Sequence, residues 1–494
     1  MRQVLTADEM RALEAECFQR GASPLEAMER AAGAVVEVLL EKLPPRARVC
    51  FACGPGNNGG DGYAAARLYA GQGGRAVVVP LGEEARLTGD ALTNCLRAHG
   101  TPRVWFLRAD EAFERPDAWV DALFGIGLSR PLNEAALYLV RRIAADRKSG
   151  SRVLAVDVPS GLDATTGRVL GEAVAADWTV TFETLKSGHV MSAGPETCGE
   201  VVVAPIGLIG DAPGAARLIE TPDLKGALPP RSRESHKNTF GHLLLIAGSF
   251  GMAGAALIAA RAALRSGVGL LTVACPASIV PILQVGAPAA LCRPLPERDG
   301  AISEEALPAL AEELKGKTAV AIGPGLSRRA HPGIVRLALT SGLSAAVDAD
   351  ALNLIAENPE MKALLKPCHV LTPHPGEAAR LIGEKPVDLI AGARALHALG
   401  ATAILKGPTS VICGAEVHLS MTGTPGMARG GSGDALTGIL GALLAQRLDP
   451  EKAAWVADEL HGLAGERAAE KFGVTSMGAM DLIESLPEVM PLAN

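Results

Sequence analysis

Apolar residues along the chain fall into two alternating textures. Short runs such as "RVCFAC", "RAVVVP", "RVLAVDVPSG" and "WTVTFE" are largely apolar, and most such runs end in Gly, Pro or Asp. That pattern predicts parallel strands buried on both faces, with polar groups at their carboxyl ends. Longer stretches between them carry apolar residues at helical spacing. Thr6 and Glu9 form a capping box for a first helix, and Pro24 opens a second, "PLEAMERAAGAVVEVLLEKL", which Pro44-Pro45 stops. "GYAAARLYAGQG" reads as the next helix. Around 210–238 the periodicity fades into a proline-rich, charged stretch, read as a linker. The strand–loop–helix grammar then restarts with "FGHLLLIAG", "LLTVACP", "TAVAIGPG", "SAAVDAD", "HVLTPHPG", "ATAILKG" and "SVICG". It closes on the helical segments "GSGDALTGILGALLAQ" and "PEKAAWVADELHGLAGERAAEKFG". The expected architecture is two α/β domains in tandem, over 1–215 and 225–494, without a repeated sequence.

Composition narrows the picture little. The 494 residues exceed one ordinary core. At 48% apolar and 20% charged the chain is ordinary globular material, and aromatics are only 3%. The net charge of −7 is spread along the chain without a basic block, so nucleic acid is not an expected partner. No uninterrupted apolar run is long enough for a membrane span, and the amino terminus lacks a signal core. Nine scattered cysteines argue for a reducing compartment, and the expectation is a soluble cytoplasmic protein. Cys50 and Cys53 form a CxxC, but with no second pair they read as strand residues. The apolar helices of the leader offer an interface, and a homo-oligomer is expected.

Candidate chemistry sits where strands end. "GPGNNGGDG", Gly54 to Gly62, uncovers backbone N–H groups before a helix, as a phosphate cradle does. It lacks the P-loop lysine, so ATP hydrolysis there is not expected. Asn57, Asn58 and Asp61 supply oxygens suited to a hard cation or to the polar groups of a sugar or amide. Asp121, Asp157 and Ser160 follow at further strand ends, and "GIGLSRP" is a second glycine loop beside Asp121. The plainer role for both aspartates is turn capping; for Lys186, in "TFETLKSG", it is a surface position. In the second half Gly430, Gly431 and Gly433 open a helix with Asp434 in its first turn. A carboxylate beside exposed N–H groups can take a proton from a hydroxyl while its oxygen attacks phosphorus. Lys406, Thr409 and Ser410 offer donors to nucleotide phosphates. His374 with Glu377, and Gly323 with Gly325, follow other strands. Asp348 and Asp350, in "DADALNL", read as helix N-caps, and Glu377 fits a first-turn cap as well.

Several of these motifs, in order, resemble known families. "PLEAMERAAG", "GPGNNGGDG", "DALFGIGLSRP" and "DVPSGLDATTG" resemble the YjeF-type N-terminal domain, the NAD(P)H-hydrate epimerase, a Rossmann-like fold that holds a potassium ion. The resemblance implies potassium at Asn58, Asp121 and Ser160. It places the hydrated dinucleotide along Asn57, Asn58, Gly59, Gly60 and Asp61, along Gly125, Ile126, Gly127, Leu128, Ser129, Arg130 and Pro131, and at Asp157. Asp157 is the expected proton-transfer group, acting in the chemistry or in positioning the ring. "GHLLLIAGSFGMAGAALIAARAALRSGVGLLTV", "LTPHPGE", "KGPTSVI" and "GGSGDALTG" resemble the ribokinase-like superfamily, and within it the YjeF-type C-terminal (S)-NAD(P)H-hydrate dehydratase. This implies Asp434 as the base. It implies nucleotide at Lys406, Gly407, Pro408, Thr409, Ser410 and Gly433, and the hydrated ring at Ala253, Gly325, His374 and Asp434. Phe250 stands where a small or polar residue is expected. The fused layout resembles the bacterial form, so ADP is the expected phosphate donor, with Mg²⁺ carried on the nucleotide; spacing alone does not separate ADP from ATP. Rival readings are a kinase of a sugar or hydroxymethylpyrimidine, which accounts for the second half only, and a scaffold that has lost catalysis.

Overall fold

The computed structural model describes every residue except Ala112, Ile209, Asp211 and Asn494. The chain divides into two compact units, Gln3–Ala216 on one hand and Met1–Arg2 with Arg217–Asn494 on the other.

In the first unit seven parallel strands form a sheet in the order Val104–Phe106, Arg75–Pro80, Arg48–Cys53, Ala118–Ala122, Arg152–Val156, Trp178–Phe182, Glu200–Ala204. The chain starts near the middle, winds outward to one edge, and returns to continue the other way. The reversal falls between Arg48–Cys53 and Ala118–Ala122, and it leaves a crevice at their carboxyl ends. Both faces of the sheet are covered, which is why the strands read as apolar throughout. Val49, Phe51 and Cys53 enter one buried cluster, while Cys50 and Ala52 enter another. The CxxC thiols therefore point to opposite sides of the strand, and both are buried and free. The capping box is present, with Glu9 N donating to Thr6 Oγ1 at 3.2 Å and Thr6 N to Glu9 Oε2 at 2.7 Å. The sequence pattern missed the short strand Arg2–Leu5, whose Val4 and Leu5 pair with Leu185 and Lys186.

The second unit has parallel strands in the order Leu291–Leu295, Leu270–Pro276, His242–Ile246, Ala319–Ile322, Ser344–Val347, His369–Leu371, Thr402–Leu405. The pattern then changes: Ser410–Cys413 and Val417–Ser420 continue antiparallel, a hairpin the parallel grammar did not anticipate. "VHLS" was not read as a strand because it is short and carries His418. The helix Ser432–Ala445 is buried nearly all round and packs on Ala253–Arg265. Close approach depends on Gly438, where an added Cβ would lie 2.2 Å from the Ala259 carbonyl oxygen. The stretch 210–238 is not featureless. It holds the strand Ala216–Leu218 and short 3-10 turns at Thr221–Leu224 and Lys237–Phe240.

Candidate active sites

The glycine-rich motif of the first unit is mostly helix. Only Gly54–Gly56 form the connection, and the helix Asn57–Gly71 starts inside the motif with Gly56 as its N-cap. This corrects the expectation that the whole motif precedes the helix as a loop. The helix N-terminus points its free N–H groups over the crevice, a placement that favours anions.

Three strand ends converge there. Asp121 is fully buried and accepts from Ser160 Oγ at 2.6 Å, Ser160 N at 2.7 Å and Leu123 N at 3.3 Å. All three donors are neutral, so burial pushes the carboxyl up to about 6. Asp157 is nearly buried and sits at φ 64°, a conformation that costs an aspartate about 1 kcal/mol or more. Its Oδ1 is 2.7 Å from the ammonium of Lys186, itself buried, and accepts from Thr181 Oγ1 at 3.0 Å. Lys186 Nζ also donates to Thr181 Oγ1 and to the Phe182 carbonyl. Burial would raise the Asp157 pKa; Lys186 outweighs it and holds the carboxyl below its ordinary value. His189 completes the support. Its Nδ1 accepts from Lys186 N at 3.0 Å, so Nε2 carries the proton and donates to the Asp157 carbonyl at 2.8 Å. Burial lowers this imidazole to about 4, and it is neutral.

Gly125 touches both sides of the crevice. A Cβ there would be 3.0 Å from Asn58 Oδ1 and 3.2 Å from Asp157 Oδ2. Asn58, Gly125 and Asp157 are thus brought together, and Asn58 Nδ2 is buried without a partner. Asp61 is pushed well above its ordinary value by burial, then by the charges of Asp157 and Glu14. Gly127, Ser129, Arg130 and Pro131 are exposed on the rim, and Arg11 Nη2 donates to the Ile126 carbonyl at 2.8 Å. Lys186 corrects the surface reading. Thr181, His189 and Glu14 were missed; for the first two the available signal was the polar cluster "TFETLKSGH" at a strand end, and for Glu14, inside the helix Ala7–Gln19, there was none.

In the second unit Gly431, at φ 98°, turns the chain into the helix Ser432–Ala445 and puts Asp434 in its first turn. Lys406 Nζ lies 2.9 Å from Asp348 Oδ1, and Thr437 Oγ1 donates to Asp348 Oδ2 at 2.7 Å. An added Cβ on Gly433 would be 3.4 Å from Lys406 Nζ. Asp434 is raised to about 6 by burial and by the charge of Asp348, with Lys406 opposing and Asp350 adding a little. Asp348 is at the N-cap position of Ala349–Glu357, yet its side chain makes no capping bond there. The capping reading is therefore corrected: the side chain turns to Lys406 and Thr437. Asp350, read as the other cap, instead accepts from Ser327 N at 2.9 Å.

His374 does cap its helix, Pro375–Ile382: Nδ1 accepts from Gly376 N at 2.9 Å, and Glu377 Oε2 accepts from His374 N at 2.9 Å. Lys406 N donates to the Pro373 carbonyl at 2.9 Å, tying this turn to the lysine turn. Gly407 and Pro408 are exposed while Thr409 is buried. On the other flank Ser249 Oγ donates to the Gly325 carbonyl at 2.9 Å, and a Cβ on Gly325 would meet Met252 O at 2.8 Å, next to Ala253. Phe250 is 71% exposed, which explains how a large residue is accommodated in that loop. Behind the lysine turn, Asp458 is buried and hydrogen-bonded by Ser410 and Ser420, residues that face each other across the hairpin. Nothing in the sequence had singled out Asp458, because it lies inside a helix that reads as apolar.

The matches to known proteins follow the same division. A family described as YjeF-related protein N-terminus matches residues 25–188, and one described as NAD(P)H-hydrate dehydratase matches residues 243–488. A bifunctional NAD(P)H-hydrate repair enzyme of Coxiella burnetii is 37% identical, covering 97% of each chain. The chain belongs to the bifunctional NAD(P)H-hydrate repair enzyme family. A second relative of that description, from Moorella thermoacetica, is 38% identical over 90% of this chain and 87% of its own. Among solved structures, a ribokinase-like superfamily protein of Enterococcus faecalis covers 56% of this chain and 95% of its own at 27% identity and a TM-score of 0.50. The expected classes, a Rossmann-like unit followed by a ribokinase-like unit, are both borne out, as is a bifunctional enzyme. Among the described residues no helix is long and apolar enough to cross a membrane.

Proposed function

We propose that the first unit interconverts the R and S epimers of the C6-hydrated nicotinamide ring of NADH or NADPH, and that the second dehydrates the S form at the expense of ADP. The observation that carries the reading is Asp434, at a helix start, beside Gly433 and the Lys406–Asp348 pair.

In the dehydratase the hydrated ring lies between Ala253, Gly325, His374 and Asp434, and the nucleotide between the Lys406–Ser410 turn and Gly433. Asp434 accepts the C6 hydroxyl proton as that oxygen attacks the β-phosphorus of ADP, and AMP leaves. The C6–O bond then breaks, expelled by the ring nitrogen's electron pair. Loss of a C5 proton restores NADH or NADPH. Phosphate leaves far more readily than hydroxide, which is the reason to consume ADP. Asp348 and Asp350 both add negative charge at Asp434, a setting that accommodates Mg²⁺ arriving on the nucleotide. When bound, Mg²⁺ neutralises charge on the transferred phosphoryl group.

In the epimerase the dinucleotide runs along Asn57–Asp61 and Gly125–Pro131. Asp157, kept ionised by Lys186, accepts and returns the proton as C6 loses and regains its hydroxyl or the ring opens and recloses. Potassium fits the other side of the crevice. Asp121 is a fully buried carboxylate with neutral donors only, and Asn58 brings its amide oxygen, the atom a cation takes, to the crevice beside Gly125. Asn58, Asp121 and Ser160 would hold the ion, which supplies positive charge for orienting polar groups of the substrate. We place the enzyme in the cytoplasm as a homo-oligomer with small-molecule partners only.

The test supplies the R epimer with ADP and follows absorbance of regenerated dinucleotide, corrected for spontaneous epimerisation. Asp434→Ala should stop dehydration of both epimers. Asp157→Asn should slow only the R epimer. Full activity in Asp434→Ala defeats the assignment.

A further inference from the structure

Behind the helix that carries the glycine motif, three side chains that neither reaction uses come together. Glu84 stands in the 3-10 turn Glu84–Arg86, and Cys95 and His99 stand one turn apart on the helix Gly89–His99. Residues at i and i+4 share a helix face, so the thiol and the imidazole are offered side by side. One ligand atom from each of the three lies within 4.8 Å of the others. His99 Nε2 is already 2.8 Å from Glu84 Oε2. The His99 ring is held flat on Phe106, with centroids 3.6 Å apart and planes at 10°. Cys95 is buried, its thiol hydrogen-bonded both to the Tyr63 hydroxyl and to Glu84, whereas His99 and Glu84 reach solvent.

We propose that Glu84, Cys95 and His99 form a binding site for a soft-to-borderline divalent cation of the zinc type. A thiolate, an imidazole and a carboxylate make a mixed S, N, O set that suits zinc and disfavours Mg²⁺ and K⁺, which take oxygen. Thiolate and carboxylate together balance a charge of two, so the bound site is neutral in a half-buried place. Tetrahedral coordination brings ligand atoms to roughly 3–4 Å from one another, and small side-chain rotations from the present spacing achieve it. A surface His–Glu pair alone would need neither the i+4 cysteine nor the ring clamp. The fourth coordination position faces solvent over His99 and Glu84. The ion would pin the 84–86 turn to the helix Gly89–His99, which packs against Asn57–Gly71. The role is therefore to stiffen the back of the epimerase unit.

The experiment titrates the full-length, chelator-treated and dialysed protein with Co²⁺, then displaces it with Zn²⁺. Wild type should develop one thiolate-to-cobalt charge-transfer band per chain, removed by stoichiometric Zn²⁺, and its thermal unfolding should shift upward with Zn²⁺. Cys95→Ala should lose the band. His99→Gln changes an exposed side chain and leaves the fold intact by circular dichroism; it should weaken Zn²⁺ by more than about 100-fold. No band in the wild type, or an unchanged titration in His99→Gln, overturns the site even where Cys95→Ala fails to fold. A band that survives in Cys95→Ala assigns the metal to another cysteine and equally overturns it.

Discussion

Each unit sets a lysine against an aspartate at the carboxyl edge of its sheet, with opposite electrostatic results. In the first unit the lysine pairs with the aspartate that faces the crevice: Lys186 holds Asp157 ionised although both are buried. In the second unit Lys406 is committed to Asp348, and Asp434 is raised to about 6 by burial first and by Asp348's charge second. The same two residue types thus make a carboxylate that rests ionised in one place and a group poised near neutrality in the other. A base that must take a proton from an alcohol and release it later benefits from a pKa near the working pH. A carboxylate that must begin each turnover ready to accept a proton benefits from a resting state that is ionised throughout the neutral range. The position of the lysine relative to the reacting carboxylate decides which outcome results.

The contrast can be broken most forcefully at the carboxylates. Asp434→Asn should lower dehydratase kcat by about 10³-fold and leave epimerisation at wild-type rate, as seen by following the two epimers chromatographically. Next in size is the loss of a lysine. Lys186→Met leaves Asp157 buried without its cation and should destabilise the first unit by about 3–5 kcal/mol, read from urea unfolding. Lys406→Met should destabilise less, because Asp348 keeps the Thr437 bond and Lys406 is partly solvated. Equal losses in the two variants would erase the distinction. The pH profile is subtler. Dehydratase kcat/KM should rise with pH up to about 6 and level above it, since Asp434 must be deprotonated to act. Asp348→Asn removes a repulsive charge and frees Lys406 toward Asp434, so both effects move that inflection to lower pH. Asp157, held below its ordinary value, should give no inflection in the neutral range. The smallest effect is expected behind the nucleotide turn. Asp458→Asn should raise KM for ADP about fivefold, the worth of one weakened hydrogen bond, with kcat nearly unchanged.

Much of this was legible in the sequence because parallel strands announce themselves. The strand ends at Cys53, Asp121 and Asp157, and the helix opening at Asp434, follow from apolar runs that stop at polar residues. Pairings were not legible. Lys186 and Asp348 each look like surface or capping residues in their own segments, and only the sheet brings them to partners 29 and 58 positions away. Asp458 was hidden for the same reason, since its hydroxyl partners arrive from the hairpin Ser410–Ser420. The hairpin was half seen because its two four-residue strands carry too few residues to show alternation. The helical start at Asn57 was missed because propensity argues against it.

That last feature bears on the order in which the molecule assembles. Asn57–Gly62 contains three glycines, each less favourable in a helix than alanine by about 1 kcal/mol. Their own propensity does not make these turns form; the neighbouring strand fits against them, with a Cβ on Gly62 placed 2.6 Å from the Ala122 Cβ. The segment can therefore wind only once the neighbouring strands are paired, late on the folding route, and it is the first part of its helix to unwind again. Hydrogen exchange should be faster at these amides than in the alanine-rich remainder, Ala64–Ala70. The crevice is thus bordered by a turn that does not stand on its own, one that a bound dinucleotide would slow in opening.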